Sequence, residues 1–171
     1  MHIFLTGEKR AGKTTLLKKI IETIGIEPKG FRTVAGEKEA DGYEYIYIIP
    51  YGEELKKEKT QPVGARKKGG FPKVFDKIGV KILRDTLDPA PKLIIMDELG
   101  FMESDARFFK KAVLDILDGD IPVLGVIKPR HTVFLDGIRD RDDVRVIEVT
   151  EGNRNDLKKE IEDILIEQMY G

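Results

Sequence analysis

The sequence predicts an α/β fold built on a mostly parallel sheet. Short runs rich in Ile, Val and Leu alternate with amphipathic stretches of helical period. A glycine-rich loop joins the first run to the first helix, and an Asp-Gly turn separates two strand-like segments. Alternation on this scale is the pattern of strand–helix–strand units, whose parallel strands are covered by helices. The 171 residues are read as one domain, 1–171. A chain of this length buries roughly 70% of the surface that its unfolded form exposes.

The first strand, Ile3–Thr6, is short and runs directly into the glycine-rich loop. From Thr14 to Ile24, Leu16, Leu17, Ile20, Ile21 and Ile24 form one apolar stripe, which Gly25 stops. Phe31–Lys38 and Tyr43–Ile49 flank Glu39-Ala40-Asp41-Gly42, and Asp-Gly is a strong hairpin signal. An antiparallel hairpin at the edge of the parallel sheet is therefore expected. The segment Tyr51–Lys73 is polar and glycine-rich, which predicts a mobile loop with little regular structure. Phe75, Ile78, Ile82, Leu83 and Leu87 form the next helical stripe, ended by Pro89 and Pro91. The strand Leu93–Met96 follows, and Ser104 is expected to cap a helix carrying Phe108, Phe109, Ala112, Val113, Ile116 and Leu117. Pro122–Ile127 and Val144–Val149 supply further strands. The last helix starts near Asn155 and carries Leu157, Ile161, Ile164, Leu165 and Met169.

Composition narrows the chemistry. The chain is 40% hydrophobic and 36% charged, with 30 basic and 31 acidic side chains and a net charge of −1. This excludes a disordered chain and a polyanionic or polycationic tail, and it gives no global attraction for nucleic acid or anionic membrane. There is no cysteine, so thiol chemistry and thiolate metal sites are excluded. No run approaches the ~20 apolar residues of a membrane span, and a cytoplasmic protein is expected. High charge with few Asn and Gln points to heat adaptation.

The residues Gly7-Glu8-Lys9-Arg10-Ala11-Gly12-Lys13-Thr14 match G-x-x-x-x-G-K-[ST] at every fixed position, between a strand and a helix. The glycines let the backbone curl so that successive N–H groups point at one phosphate, and the positive end of the following helix adds to the attraction. Gly7 through Thr15 are thus the expected phosphate-binding residues. Lys13 would reach the β- and γ-phosphates, and Thr14 would ligate Mg²⁺ carried with the nucleotide. Leu93-Ile94-Ile95-Met96 would deliver Asp97 to the same sheet edge as a second metal ligand, through water. Glu98 stands one residue beyond. In the division of phosphate-loop proteins with an extra central strand, a glutamate there orients and deprotonates the attacking water.

These motifs together resemble a known family. The loop after a minimal first strand, Gly30-Phe31-Arg32-Thr33, Asp97-Glu98-Leu99-Gly100-Phe101-Met102-Glu103 and Val149-Thr150-Glu151-Gly152-Asn153-Arg154 are similar to those of the THEP-type nucleoside-triphosphatases, also called cancer-related nucleoside-triphosphatases. The resemblance runs from the start of the chain to the last helix. It implies a compact three-layer, RecA-like P-loop domain that hydrolyses ATP, GTP and other nucleoside triphosphates slowly, with low base selectivity. The chain departs from the family pattern at Lys9 and Arg10, and Gly64-Ala65-Arg66 matches it only in part.

Cations that neutralise charge growing on the γ-phosphate assist phosphoryl transfer, and Arg66, Lys128, Arg130 and Arg32 are the candidates. Thr150 and Asn153 lie where many such domains hold the base, although Asn153 or Asn155 is better read as the cap of the last helix. His2 and His131 cannot build a metal cluster. The basic residues of Tyr51–Lys73 suit a lid or a plain loop better than a nucleic-acid surface. The expected partners are nucleoside triphosphates, with no membrane or nucleic acid, and a monomer is expected. A small-molecule or nucleotide kinase using the same loop, and a nucleotide switch associated with nucleic acid, are the alternatives.

Overall fold

The computed structural model describes residues 1–171. In chain order the elements are β1 (His2–Thr6), α1 (Lys13–Ile24), β2 (Lys29–Lys38), β3 (Glu44–Pro50), β4 (Gly64–Ala65), β5 (Gly69–Gly70), α2 (Pro72–Thr86), β6 (Ile94–Leu99), α3 (Arg107–Leu117), β7 (Val123–Ile127), α4 (Val133–Arg139), β8 (Val144–Glu148) and α5 (Arg154–Tyr170). One eight-stranded sheet has the order β5-β4-β3-β2-β6-β7-β1-β8. From β2 to β8 its neighbours are parallel, whereas β3, β4 and β5 are joined by antiparallel pairings. The fold is the expected α/β, mostly parallel architecture of a P-loop NTPase.

The run around β6 explains the three layers. Leu93 and Ile95 join one buried cluster with Leu16, Leu17 and Ile20 of α1 and Ile161 and Leu165 of α5. Ile94 and Met96 join another with Phe75 and Leu83 of α2, Phe109 and Val113 of α3, and Leu135 and Ile138 of α4. Successive strand side chains point to opposite faces, so a strand covered on both sides must be apolar at each position. In the second core the Phe109 ring lies 4.7 Å from that of Phe75 and 5.5 Å from that of Phe31. Truncating such a ring costs ~3–5 kcal/mol.

His2 begins β1 as a buried residue rather than a ligand. The Val123 N–H donates to its Nδ1 (3.1 Å), so Nε2 carries the proton and donates to the Leu117 carbonyl (3.0 Å). Burial keeps its pKa below the ordinary histidine value.

Several local expectations are corrected. The hairpin β2–β3 does pair antiparallel, but it is not the sheet edge, because β4 and β5 continue outward from it. Both belong to the segment expected to be a loop. Val63 and Ala65 are fully buried, the Val63 N–H donates to Ile46 and the Phe71 N–H to Val63. Its glycines serve close approach: a β-carbon on Gly70 would lie 1.8 Å from the Met102 carbonyl oxygen, and one on Gly64 2.9 Å from the Met102 sulfur. Ser104 does not cap α3, since its hydroxyl donates to the Phe101 carbonyl inside a turn and the helix begins later. Phe108, expected inside, is 62% exposed, because Phe109 occupies the inward position. The short helix α4 is an addition to the expected elements, and Thr132 caps it by accepting from the Leu135 N–H (3.1 Å).

Candidate functional site

The carboxyl ends of β1, β6 and β7 gather the predicted residues at one edge. The loop Gly7–Gly12 leaves β1, and its curvature depends on specific backbone states. Gly7 has φ 130° and lies so close to the end of β8 that a β-carbon would meet the Val149 carbonyl oxygen at 2.6 Å. Gly12, with φ 95°, is the residue preceding the first turn of α1, and Arg10 also takes a positive φ of 67°. Glu8, Lys9 and Arg10 are exposed on the loop, Ala11 closes it by donating to Glu8, and Thr14 and Thr15 are exposed on the first turn of α1. The Lys13 ammonium folds back across the loop to donate to the carbonyls of Gly7 (2.9 Å) and Glu8 (2.6 Å). Both acceptors are neutral, so its positive charge stays available to an anion.

Facing this loop, Asp97 ends the apolar run of β6, and the peptide joining it to Glu98 is cis. The Thr14 hydroxyl donates to Asp97 Oδ1 at 3.3 Å. Asp97 is buried with no basic side chain paired to it, and burial, followed by the Glu98 charge, raises its pKa to about 6. The Thr14 hydrogen bond and the charges of Lys18 and Arg32 act in the opposite direction. Glu98 pairs with Lys128 at 3.0 Å, a contact made possible because β6 and β7 are neighbours.

The candidate cations separate clearly. Lys128 reaches Glu98. Arg32 is in register with Asp97 on the adjacent strand and donates to the Glu53 carbonyl (2.7 Å). Arg130 instead lies over the Phe101 ring at 5.6 Å, and Arg66 pairs with Glu44 on β3 at 2.7 Å. Exposed His131 contacts Asp136 at 3.0 Å. Asn153 does not cap α5 with its side chain. It accepts from the Thr150 N–H (2.8 Å) and donates to the Glu148 carbonyl (2.9 Å), which fixes the loop leading into α5.

Three further residues stand at this edge, and two of them, Glu103 and Arg154, close motifs quoted above. Tyr51 is half-buried near Asp97, and burial and that charge raise its phenol pKa. Glu103 is buried with Oε1 accepting from the Gly100 N–H (2.5 Å), and burial pushes its pKa up to about 7. Arg154 lies over Gly12, with Nη1 3.2 Å from where a β-carbon would stand. In sequence, Glu103 and Arg154 are signalled by the motifs they close, and Tyr51 by nothing.

A family model described as NTPase matches residues 2–162. The chain belongs to this family. It is 34% identical over 171 residues to the nucleoside-triphosphatase THEP1 of Thermotoga maritima, covering 96% of this chain and 95% of the relative. It is 31% identical over 178 residues to the cancer-related nucleoside-triphosphatase homolog of Mus musculus, covering 94% of each. The crystal structure of THEP1 from the hyperthermophile Aquifex aeolicus superimposes with a TM-score of 0.75 at 28% identity, over 96% of this chain and 99% of that one. Family membership and the fold thus agree with the resemblance read from the motifs. No helix is long and apolar enough to cross a membrane.

Proposed function

We propose that the protein is a Mg²⁺-dependent nucleoside-triphosphatase that cleaves the β–γ bond of ATP, GTP and other nucleoside triphosphates with low base selectivity. The coarser part, a nucleoside-triphosphatase and so a hydrolase, rests on membership of the family and on the names of its relatives. The observation that carries the finer reading is the convergence of the Lys13 loop, the Thr14–Asp97 pair and Glu98 at one sheet edge.

The residues present fit Mg²⁺. Thr14 and Asp97 offer only hard oxygen donors, and Asp97 is a buried carboxylate without a cationic partner. No group of three or more His, Cys, Asp or Glu side chains could hold an ion alone, which suits a metal that arrives on phosphate oxygens and keeps its waters. Bound there, Mg²⁺ would neutralise charge developing on the terminal phosphates. The inward amides of Gly7–Thr15 and the Lys13 ammonium bind the phosphate chain. To reach it, Lys13 exchanges its two carbonyl acceptors for phosphate oxygens. Glu98 takes the proton of the attacking water, and Lys128 holds the carboxylate in position.

The test is phosphate release from ATP, GTP, CTP and UTP, with Mg²⁺ or with EDTA. All four should be hydrolysed with Mg²⁺ and none with EDTA. Activity retained in EDTA would remove the metal reading, and a single productive base would remove low selectivity. A metabolite that speeds ADP formation without stoichiometric phosphate would establish a kinase instead.

A further inference from the structure

Around the phosphate loop, Lys9, Arg10 and Lys18 are exposed without an ion-pair partner, and Arg154, which follows β8, shares that state. Lys128 meets Glu98 and Arg32 meets a carbonyl, but the Arg154 guanidinium forms no ion pair. Although exposed, it lies against the loop itself. Its Nη1 and Cδ lie 3.2 and 3.6 Å from the β-carbon position of Gly12, so the side chain lies across that glycine. The Thr150–Asn153 loop that delivers it is laced by reciprocal hydrogen bonds between Thr150 and Asn153, and by Asn153 to Glu148.

The location is unfavourable for a lone cation. Gly12 is the N-cap of α1 and Arg154 is the first residue of α5, so a side chain borne on the start of one helix lies against the positive end of another. A cation at either end is disfavoured by the helix dipole, whereas an anion there is favoured. An anion seated in the loop within reach of Arg154 would offset this cost.

Topology identifies which anion. Asp97 and Glu98 end β6, and Lys128 follows β7, both on one side of β1; Arg154 follows β8, on the other side. The γ-phosphate must lie towards Glu98, where water would attack. The phosphate chain then runs across the loop, and its nucleoside end faces α5. We propose that Arg154 binds the α-phosphate, the phosphate that carries the nucleoside. This rests on the nucleotide-binding reading above. A guanidinium on a phosphate is recognition that ignores the base, in keeping with a broad substrate range.

Titration calorimetry with Mg·ATP and Mg·tripolyphosphate, alongside steady-state kinetics, tests this on the full chain. Arg154→Ala should weaken both ligands about 10-fold and raise KM similarly, with kcat within about 3-fold of wild type. Arg154→Lys should recover much of the loss, because a point charge suffices for phosphate but not for stacking on a base. Weakened ATP with unchanged tripolyphosphate would overturn the proposal in favour of a base or ribose contact. A fall in kcat alone would overturn it in favour of the γ-phosphate, and no change in either would overturn it outright. If the wild type binds neither ligand, the nucleotide reading fails and the inference with it. Arg154→Met keeps the stem over Gly12 without the charge, and should match Arg154→Ala in affinity if the latter melts early.

Discussion

The phosphate loop and the antiparallel extension β3–β5 are both rich in glycine and basic residues, yet the two use them oppositely. In the loop, Gly7 and Gly12 hold positive φ so that amides turn inward, and Lys13 rests on neutral carbonyls. In the extension, Gly64 and Gly70 give up a side chain so that strands can lie against Met102. Three of its cations are engaged, Lys57 with Glu39 at 2.9 Å, Arg66 with Glu44 at 2.7 Å, and Lys68 over the Tyr43 ring at 4.9 Å. A basic side chain already paired with a carboxylate is less available to an anion than one that rests on neutral carbonyls.

The contrast can be broken at its strongest point first. Lys13→Ala should lower turnover about 1,000-fold, measured as phosphate release, because a preorganised charge at the reacting group is lost. A variant within 10-fold of wild type would remove the distinction between loop and extension cations. Glu98→Gln should lower kcat on the order of 100-fold while nucleotide affinity, measured by calorimetry, holds. Unchanged kcat would end the general-base role.

Glu103 lies between the two regions, in the turn that Met102 presses onto the extension, and it sharpens the comparison through pH. Its folded pKa of about 7 is raised from the ordinary 4.5, so the folded state holds the proton more tightly than the unfolded state. The stability it contributes is fully present below pH 4.5 and is lost as pH rises through about 7. Glu103→Gln should therefore melt closer to wild type at pH 5 and above it at pH 8. Equal shifts at both pH values would contradict the raised pKa. The smallest effect belongs to the extension. Arg66→Ala breaks an exposed ion pair worth ~0–1 kcal/mol and should leave phosphate release within about 2-fold. A larger loss would return Arg66 to the catalytic candidates.

Local signals in the sequence make most of the parallel half legible. Ile, Val and Leu runs specify doubly covered strands, and the spacing Gly7–Thr14 specifies a loop whose chemistry is in its own backbone. The same signals place Asp97 and Glu98 at the loop's edge. Where tertiary contacts decide, they are silent. Glycines in Tyr51–Lys73 look like flexibility until Met102 is set against them, and Ser104 looks like a cap until its hydroxyl turns to Phe101. Among the cations, Arg66 and Arg130 are equal to Lys128 in sequence; strand order sets Arg66 apart, and side-chain contacts, Lys128 on Glu98 and Arg130 on Phe101, separate the other two. Arg154 reads in sequence only as the end of the Val149–Arg154 motif, because its contact with Gly12 joins residues far apart in the chain.

That joining bears on how the protein is made. Gly7 leans on the Val149 carbonyl, the Val149 N–H donates to Thr6, and Arg154 covers Gly12. A growing chain on the ribosome displays the whole glycine motif long before β8 and Val149 emerge. The wall against which that motif takes shape follows only after β7 and α4. Pairing across so long a separation is slow to form. A nascent chain stalled before β8 would carry the phosphate-binding signature and still be unable to hold a nucleotide.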